Sequence, residues 1–336
     1  MSTWNLRAAS VVAALLLFLA GCTGAPREVT LTAAAGPGQD ITVAAIPASD
    51  LGGLYVALDQ GLFARQGLHV KITKIPSSQA VIAAQLSGHV DISAGSYVPY
   101  IAAQAAGARF RILAEASTLQ PDTRALVVPA YSGITSLAGL VGKKIGVNGT
   151  NSIGTLLISA LLEENGIPPG KVDFVTDNEG FPTMPGQLDK GEWQAAFLAE
   201  PYVTIAGEQY GDQILADLDQ GATMSFPIDG YVATQAWTRQ HPKAAAAFVR
   251  AIEQGQAIAA SDPAAARAAI GQADQLPPQV TGVMMLPDYP VGPVDEKRIQ
   301  REAAVMLQFG TLGRRYATEI EQGTLVRSMT GPAPAR

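Results

Sequence analysis

Among its 336 residues the chain carries one cysteine, three histidines and three tryptophans, and its 23 Lys+Arg are outnumbered by 29 Asp+Glu. A single cysteine excludes an intramolecular disulfide and a metal site built from several cysteines. His69 and His89 are twenty residues apart and His241 precedes Pro242, so no H-x-x-x-H pair exists. All three read as surface histidines rather than ligands. No basic cluster occurs anywhere, and the phosphate-neutralising charge that dominates nucleic-acid binding is therefore missing. No apolar run is long enough for a bilayer either: Val11 to Ala20 is ten residues, against roughly 20 for a spanning helix.

That short run has another reading. One cation, Arg7, precedes it, and the small pair Ala20-Gly21 ends it, which is the layout of a secretory signal peptide. The only cysteine follows at once, and Leu19-Ala20-Gly21-Cys22 is similar to the lipobox of bacterial lipoproteins, in which the cysteine is acylated and becomes the first mature residue. Residues 1–21 are thus expected to be a signal peptide and Cys22 a lipidation site. Stable attachment needs two or more chains, which bacterial lipoproteins have. Loss of residues 1–21 removes only Arg7 and leaves 22 cations against 29 anions, a net charge of −7. Residues 22–40, rich in Gly, Ala, Pro and Thr, read as a flexible tether.

The remaining length exceeds one ordinary core, so two lobes are expected. A pattern of strand, polar loop, helix, strand, helix, strand occurs twice. It runs first through "ITVAAIP", "ASD", "LGGLYVALDQGLFARQG", "LHVKITKIP", "QAVIAAQLSG" and "HVDISAG". It returns as "KKIGVNG", "TNS", "IGTLLISALLEENG", "KVDFVTDN", a short helix closed by Gly191, and a strand over 194–198. Such alternation means parallel βαβ units with ligand crevices at the strand C-termini. The strand-like stretches "ALVVP" (125–129) and "GYVATQ" (230–235) bracket the second unit and read as two hinge crossings, a geometry for closing lobes on a ligand. The expected division is 41–126 with 229–336 as the first lobe and 127–228 as the second. The Ala-rich helices after Gln235 should pack on the first lobe and show no site chemistry.

Five segments, in order and spacing, resemble the solute-binding proteins of nitrate/sulfonate/taurine ABC importers, a superfamily that includes binders of thiamine-pyrimidine precursors. They are "YVALDQGLFARQGLHVKI", "AAQLSGHVDISAGS", "SLAGLVGKKIGVNG", "LLEENGIPPGKVDFV" and "LDKGEWQAAFLAEPYVTIA". The resemblance implies an α/β, type II periplasmic-binding-protein fold: two βαβ lobes on a two-crossing hinge with a ligand cleft between them. It further implies a small-molecule solute, a membrane permease driven by a cytoplasmic ATPase, a monomer, an extracytoplasmic location, no cofactor and no catalysis.

Candidate ligand contacts are polar residues at strand C-termini and helix N-termini, where backbone N–H groups and the helix dipole offer donors. These are Ser49 and Asp50, Ser78 and Gln79, and Ser96 and Tyr97 in the first lobe; Thr150, Asn151, Ser152, Glu200 and Tyr202 in the second. Ser49, Ser78 and Ser152 are equally readable as helix caps, and Tyr97, Phe181, Tyr202 and Phe226 as core or as stacking surfaces. "GVNGTNSIG" lacks the Lys-Ser/Thr of a phosphate-binding loop. No Lys or Arg lies in the nominated loops, the nearest cation in sequence being Arg124. That disfavours a small inorganic anion and favours a neutral, amine-bearing or aromatic nutrient. Two other readings stay open. One is a pyrimidine-synthesis-type enzyme on the same fold, whose known members use a cysteine-rich motif and a histidine. The other is a ligand sensor for a membrane signalling partner.

Overall fold

The computed structural model describes residues 30–32 and 38–331. The expected signal peptide, Cys22 and most of the expected tether lie outside the described residues. Inside the tether segment, Thr30–Thr32 forms a short edge strand, β1. The first full strand, β2 (Gln39–Ala45), begins two residues before Ile41.

The first sheet also contains β3 (Leu68–Lys74), β4 (Ile92–Ser96) and β5 (Phe110–Thr118). The second holds β6 (Arg124–Val128), β7 (Lys144–Val147), β8 (Asp173–Thr176), β9 (Ala195–Ala199) and β10 (Gln213–Asp217). The chain then returns to the first sheet as β11 (Pro227–Thr234). The orders are β1-β3-β2-β4-β11-β5 and β10-β6-β9-β7-β8. Within them the doubled pattern takes one form twice. β2 pairs in parallel with β3 on one side and β4 on the other, and β7 does the same with β8 and β9. Beyond each trio an antiparallel strand completes the match, β11 against β4 and β6 against β9.

β4, β6 and β9 are buried along their whole length, as expected of central strands that carry apolar runs rather than alternation. The crossings lie outside the two hinge stretches. Residues 125–128 already belong to the second sheet and 230–234 to the first; the chain passes between sheets over 119–123 and 218–226. Both stretches are β-rich enough to be taken into a sheet interior, so the connectors are the polar residues that precede them.

The helices after β11 run over Gln235–Gln240, Pro242–Ser261, Pro263–Asp274, Pro278–Val283, Glu296–Gln308, Ala317–Glu321 and Thr324–Thr330. Pro242–Ser261 buries Phe248 against Phe63, ring centroids 5.3 Å apart, and against Tyr231 of β11. Pro242–Ser261, Pro263–Asp274 and the helix Gly52–Asp59 cover one face of the first sheet with one apolar cluster, whereas Glu296–Gln308 buries Ile299, Ala303 and Met306 in the other. Among the described residues no helix is long and apolar enough to cross a membrane.

Candidate functional site

Each parallel trio ends in polar loops, and the two sets of loops meet between the lobes. After β2 the chain enters a short helical turn, Ser49–Leu51. The Ser49 N–H donates to the Glu200 carbonyl at 2.7 Å, across the lobes. The Ser49 carbonyl accepts from the Tyr289 hydroxyl at 2.7 Å. Ser49 caps nothing, because the residue preceding the turn is Ala48.

Asp50 is buried, with both oxygens engaged. Oδ1 accepts from the Ser117 hydroxyl at 2.6 Å, and Oδ2 lies 2.8 Å from Nη2 of Arg124. The same guanidinium lies 3.6 Å from Oδ2 of Asp229, and its Cζ sits 5.9 Å from the Phe197 ring centroid. Asp50 and Asp229 belong to the first lobe and Arg124 to the first residue of β6, so the triad spans the lobes beside the crossing. Burial and the Asp50 charge push the Asp229 carboxyl up to about 7, with Arg124 pulling the other way. Close by, Glu302 is fully buried, and burial with the charges of Asp229 and Glu115 pushes its carboxyl well up.

Ser78 is the buried first residue of the helix Ser78–Leu86, whose cap is Ser77, accepting from the Ala80 N–H. Gln79 is exposed and donates from Nε2 to the Asn151 carbonyl at 3.2 Å, a second link between the lobes. Ser96 ends β4 and caps the helix Tyr97–Ala105, its hydroxyl accepting from the Val98 N–H. Tyr97 is fully buried, packed where any side chain on Gly230 of β11 would stand.

In the second lobe Thr150 and Asn151 are exposed after β7, and Ser152 is the buried cap position of the helix Ile153–Glu164. Glu200 follows β9; its Oε2 accepts from the Thr204 N–H and its Oε1 from the Thr204 hydroxyl and the Met285 N–H. Burial raises its pKa, and those hydrogen bonds oppose the rise. Tyr202 is nearly buried, its ring stacked on Phe181 at 5.9 Å and 16°. Phe226 is fully buried.

The structure therefore gathers Ser49, Asp50, Gln79, Asn151 and Glu200 at the meeting of the lobes and leaves Tyr97 inside the first lobe. It adds residues the sequence reading did not nominate. Ser117, Asp229 and Tyr289 build the buried cluster around Asp50, and Tyr289 and Met285 come from the C-terminal region read as free of site chemistry. Arg124, read only as the cation nearest in sequence to the nominated loops, is the central cation of this cluster. The one sequence signal was a lone acid, Asp229, within the otherwise apolar "PIDGYVAT". Asp177, after β8, accepts from the Glu179 and Gly180 N–H groups at 2.6 and 3.0 Å and shapes the loop that carries Phe181. Gly180 has φ 79°, and a Cβ there would stand 2.7 Å from the Pro76 carbonyl of the other lobe.

All three histidines lie at the opposite edge, by the strand N-termini. His69 pairs with Asp40, His89 with Ser87 and His241 with Gln39.

Solved structures of similar architecture include the alkanesulfonate-binding protein SsuA of Xanthomonas axonopodis pv. citri bound to MOPS. It is 17% identical, covered over 84% of this chain and 96% of that one, with a TM-score of 0.70. The periplasmic nitrate-binding protein NrtA of Synechocystis PCC 6803 is 15% identical over 88% and 89%, with a TM-score of 0.71. Both likenesses establish the α/β periplasmic-binding-protein fold. Among curated proteins, the 4-amino-5-hydroxymethyl-2-methylpyrimidine phosphate synthase of Uromyces fabae is 26% identical over 219 residues, 62% of this chain and 63% of that protein. The chain spans less than two thirds of the length of the curated relatives it matches. Residues 48–266, from the turn after β2 to the start of the helix Pro263–Asp274, match the family described as NMT1/THI5 like, and the chain belongs to that family.

Proposed function

We propose that the protein is a solute-binding receptor of an ABC importer, exported and held at the membrane by lipidated Cys22. It captures a small organic nutrient between its lobes and presents it to a permease. The observation that carries the reading is the meeting of two copies of one βαβ trio. Their C-terminal loops face each other across two chain crossings and are joined by direct contacts such as Ser49 N–H to Glu200 O. That is the geometry of a clamp.

The charge at the junction bears on the ligand. Arg124 enters the cluster, but Asp50 and Asp229 both face it, and Glu200 adds a third buried carboxyl. A small inorganic anion would meet a cation already engaged and an excess of acids. A neutral or amine-bearing ligand with an aromatic or polar body suits this junction.

The synthase match favours an enzyme as the second reading. Against it, no histidine borders the meeting of the lobes, and the one cysteine precedes the first strand. The test is to purify the full chain, identify co-purified small molecules by native mass spectrometry, and screen a nutrient panel by thermal shift. A reversible ligand at 100 times its Kd stabilises by about 2.7 kcal/mol. Chemical turnover of the bound molecule would overturn the receptor reading in favour of the enzyme.

A further inference from the structure

A cavity of about 470 Å³ lies beside the meeting of the lobes. Its walls come from the second lobe, from Asp122 in the first crossing, and from Val283 and Met285 at the end of the helix Pro278–Val283. Among the described residues that line it are four acids, Asp122, Glu200, Glu208 and Asp212, and no Lys, Arg or His. Glu200 gives its backbone carbonyl to Ser49, and its carboxylate is held by Thr204 and Met285, which also line this cavity.

Two independent observations point to an occupant. Asp212 is 9% exposed, and its Oδ2 is buried with no hydrogen-bond partner. A carboxylate with one oxygen enclosed and undonated is costly, and a cationic group beside its accessible part would offset that cost by Coulomb attraction. Secondly, Ile214, Val283 and Met285 are large apolar side chains 44%, 57% and 43% exposed, and all three line this one cavity. Clustered exposed apolar surface rimmed by charge marks a binding site.

We propose that this cavity is a second ligand site, for a small organic cation: an ammonium group donating to Asp212 with an apolar body against Ile214, Val283 and Met285. The volume falls in the range of small-molecule pockets. A bare metal ion does not fit the setting, since among the described residues no group of His, Cys, Asp and Glu is arranged to hold one. Because the walls come from both lobes, an occupant bridges them next to the Met285 N–H to Glu200 contact and favours the closed arrangement.

The experiment titrates the full chain with phenethylammonium and, as the neutral control, 2-phenylethanol. Calorimetry gives affinity, and methyl NMR shifts at Ile214, Val283 and Met285 give location. The expected result is one saturable ammonium site with shifts at those three methyls. The alcohol and the Asp212→Asn variant should each bind about tenfold more weakly, the size of one charge-assisted hydrogen bond. Glu208→Gln, at an exposed rim position, should weaken binding by a smaller factor and supplies the charge test should Asp212→Asn fail to fold. No saturation at millimolar ammonium, equal binding of the alcohol, indifference to both variants, or shifts confined to the surroundings of Asp50 would each overturn the proposal.

Discussion

Arg124 Nη2 lies 2.8 Å from Asp50 Oδ2, and this ion pair ties the first residue of β6 in one lobe to the turn after β2 in the other. Both side chains are almost wholly buried. Removing one partner of such a pair leaves an uncompensated buried charge, at a cost of about 3–5 kcal/mol. Arg124→Met should therefore lower the unfolding free energy by that order, read from urea titration. The double variant Arg124→Met/Asp50→Leu should recover part of the loss, and a double variant no more stable than the single one would contradict the pairing.

Asp229 predicts a pH dependence. Its folded pKa is pushed up from 3.8 to about 7, so the folded state holds a proton that the unfolded chain has released. That contribution is fully present below about pH 4 and is lost as pH rises towards 7. Asp229→Asn should thus gain stability relative to the parent protein as pH rises from 4 to 7, with the difference flat above. Glu302, shifted in the same direction, should act with the same sign, and Glu302→Gln added to Asp229→Asn should flatten the profile further. Melting temperatures across this range check both.

Gly180 combines a left-handed φ of 79° with a close approach to the Pro76 carbonyl. Gly180→Ala meets both obstacles, a strained backbone worth about 1–3 kcal/mol and a clash between the lobes. Reduced stability together with a larger radius of gyration in small-angle scattering is the expected outcome. A variant as stable and as compact as the parent would show that the lobes do not touch there in solution.

Cys22→Ser should release the protein from membranes into the soluble fraction while leaving solute affinity unchanged, because the first residue of the junction, Ser49, lies far along the chain. Cell fractionation and calorimetry on the same variant separate the two effects.

Much of the fold was legible because its signals are local. The apolar runs of β2, β4, β7 and β9 are short, bounded by Gly or polar loops, and alternate with helical periodicity, which specifies parallel βαβ units without reference to distant residues. The crossings were misplaced because "ALVVP" and "GYVATQ" are strong strand formers. Which sheet a strand enters depends on neighbours far away in sequence, and the short connector carries no signal of its own.

The candidate site divides in the same way. Ser49, Asp50, Gln79, Asn151 and Glu200 could be assigned to the meeting of the lobes because loops at strand C-termini can be counted from the sequence. Ser96, nominated as a ligand contact, caps the helix Tyr97–Ala105, and Ser77 takes the cap that Ser78 had been offered. By itself the sequence determined the repeated trio, the acidic balance and the cysteine at the end of the leader-like run, since each depends on composition or short-range order. Only the tertiary structure decided that Arg124 would face Asp50 and Asp229, that Tyr289 would reach Ser49 from 240 residues away, and that Asp212 would be left without a donor. A charge pair costs or stabilises according to its burial and partners, and those exist only once two sheets distant in sequence have closed on each other.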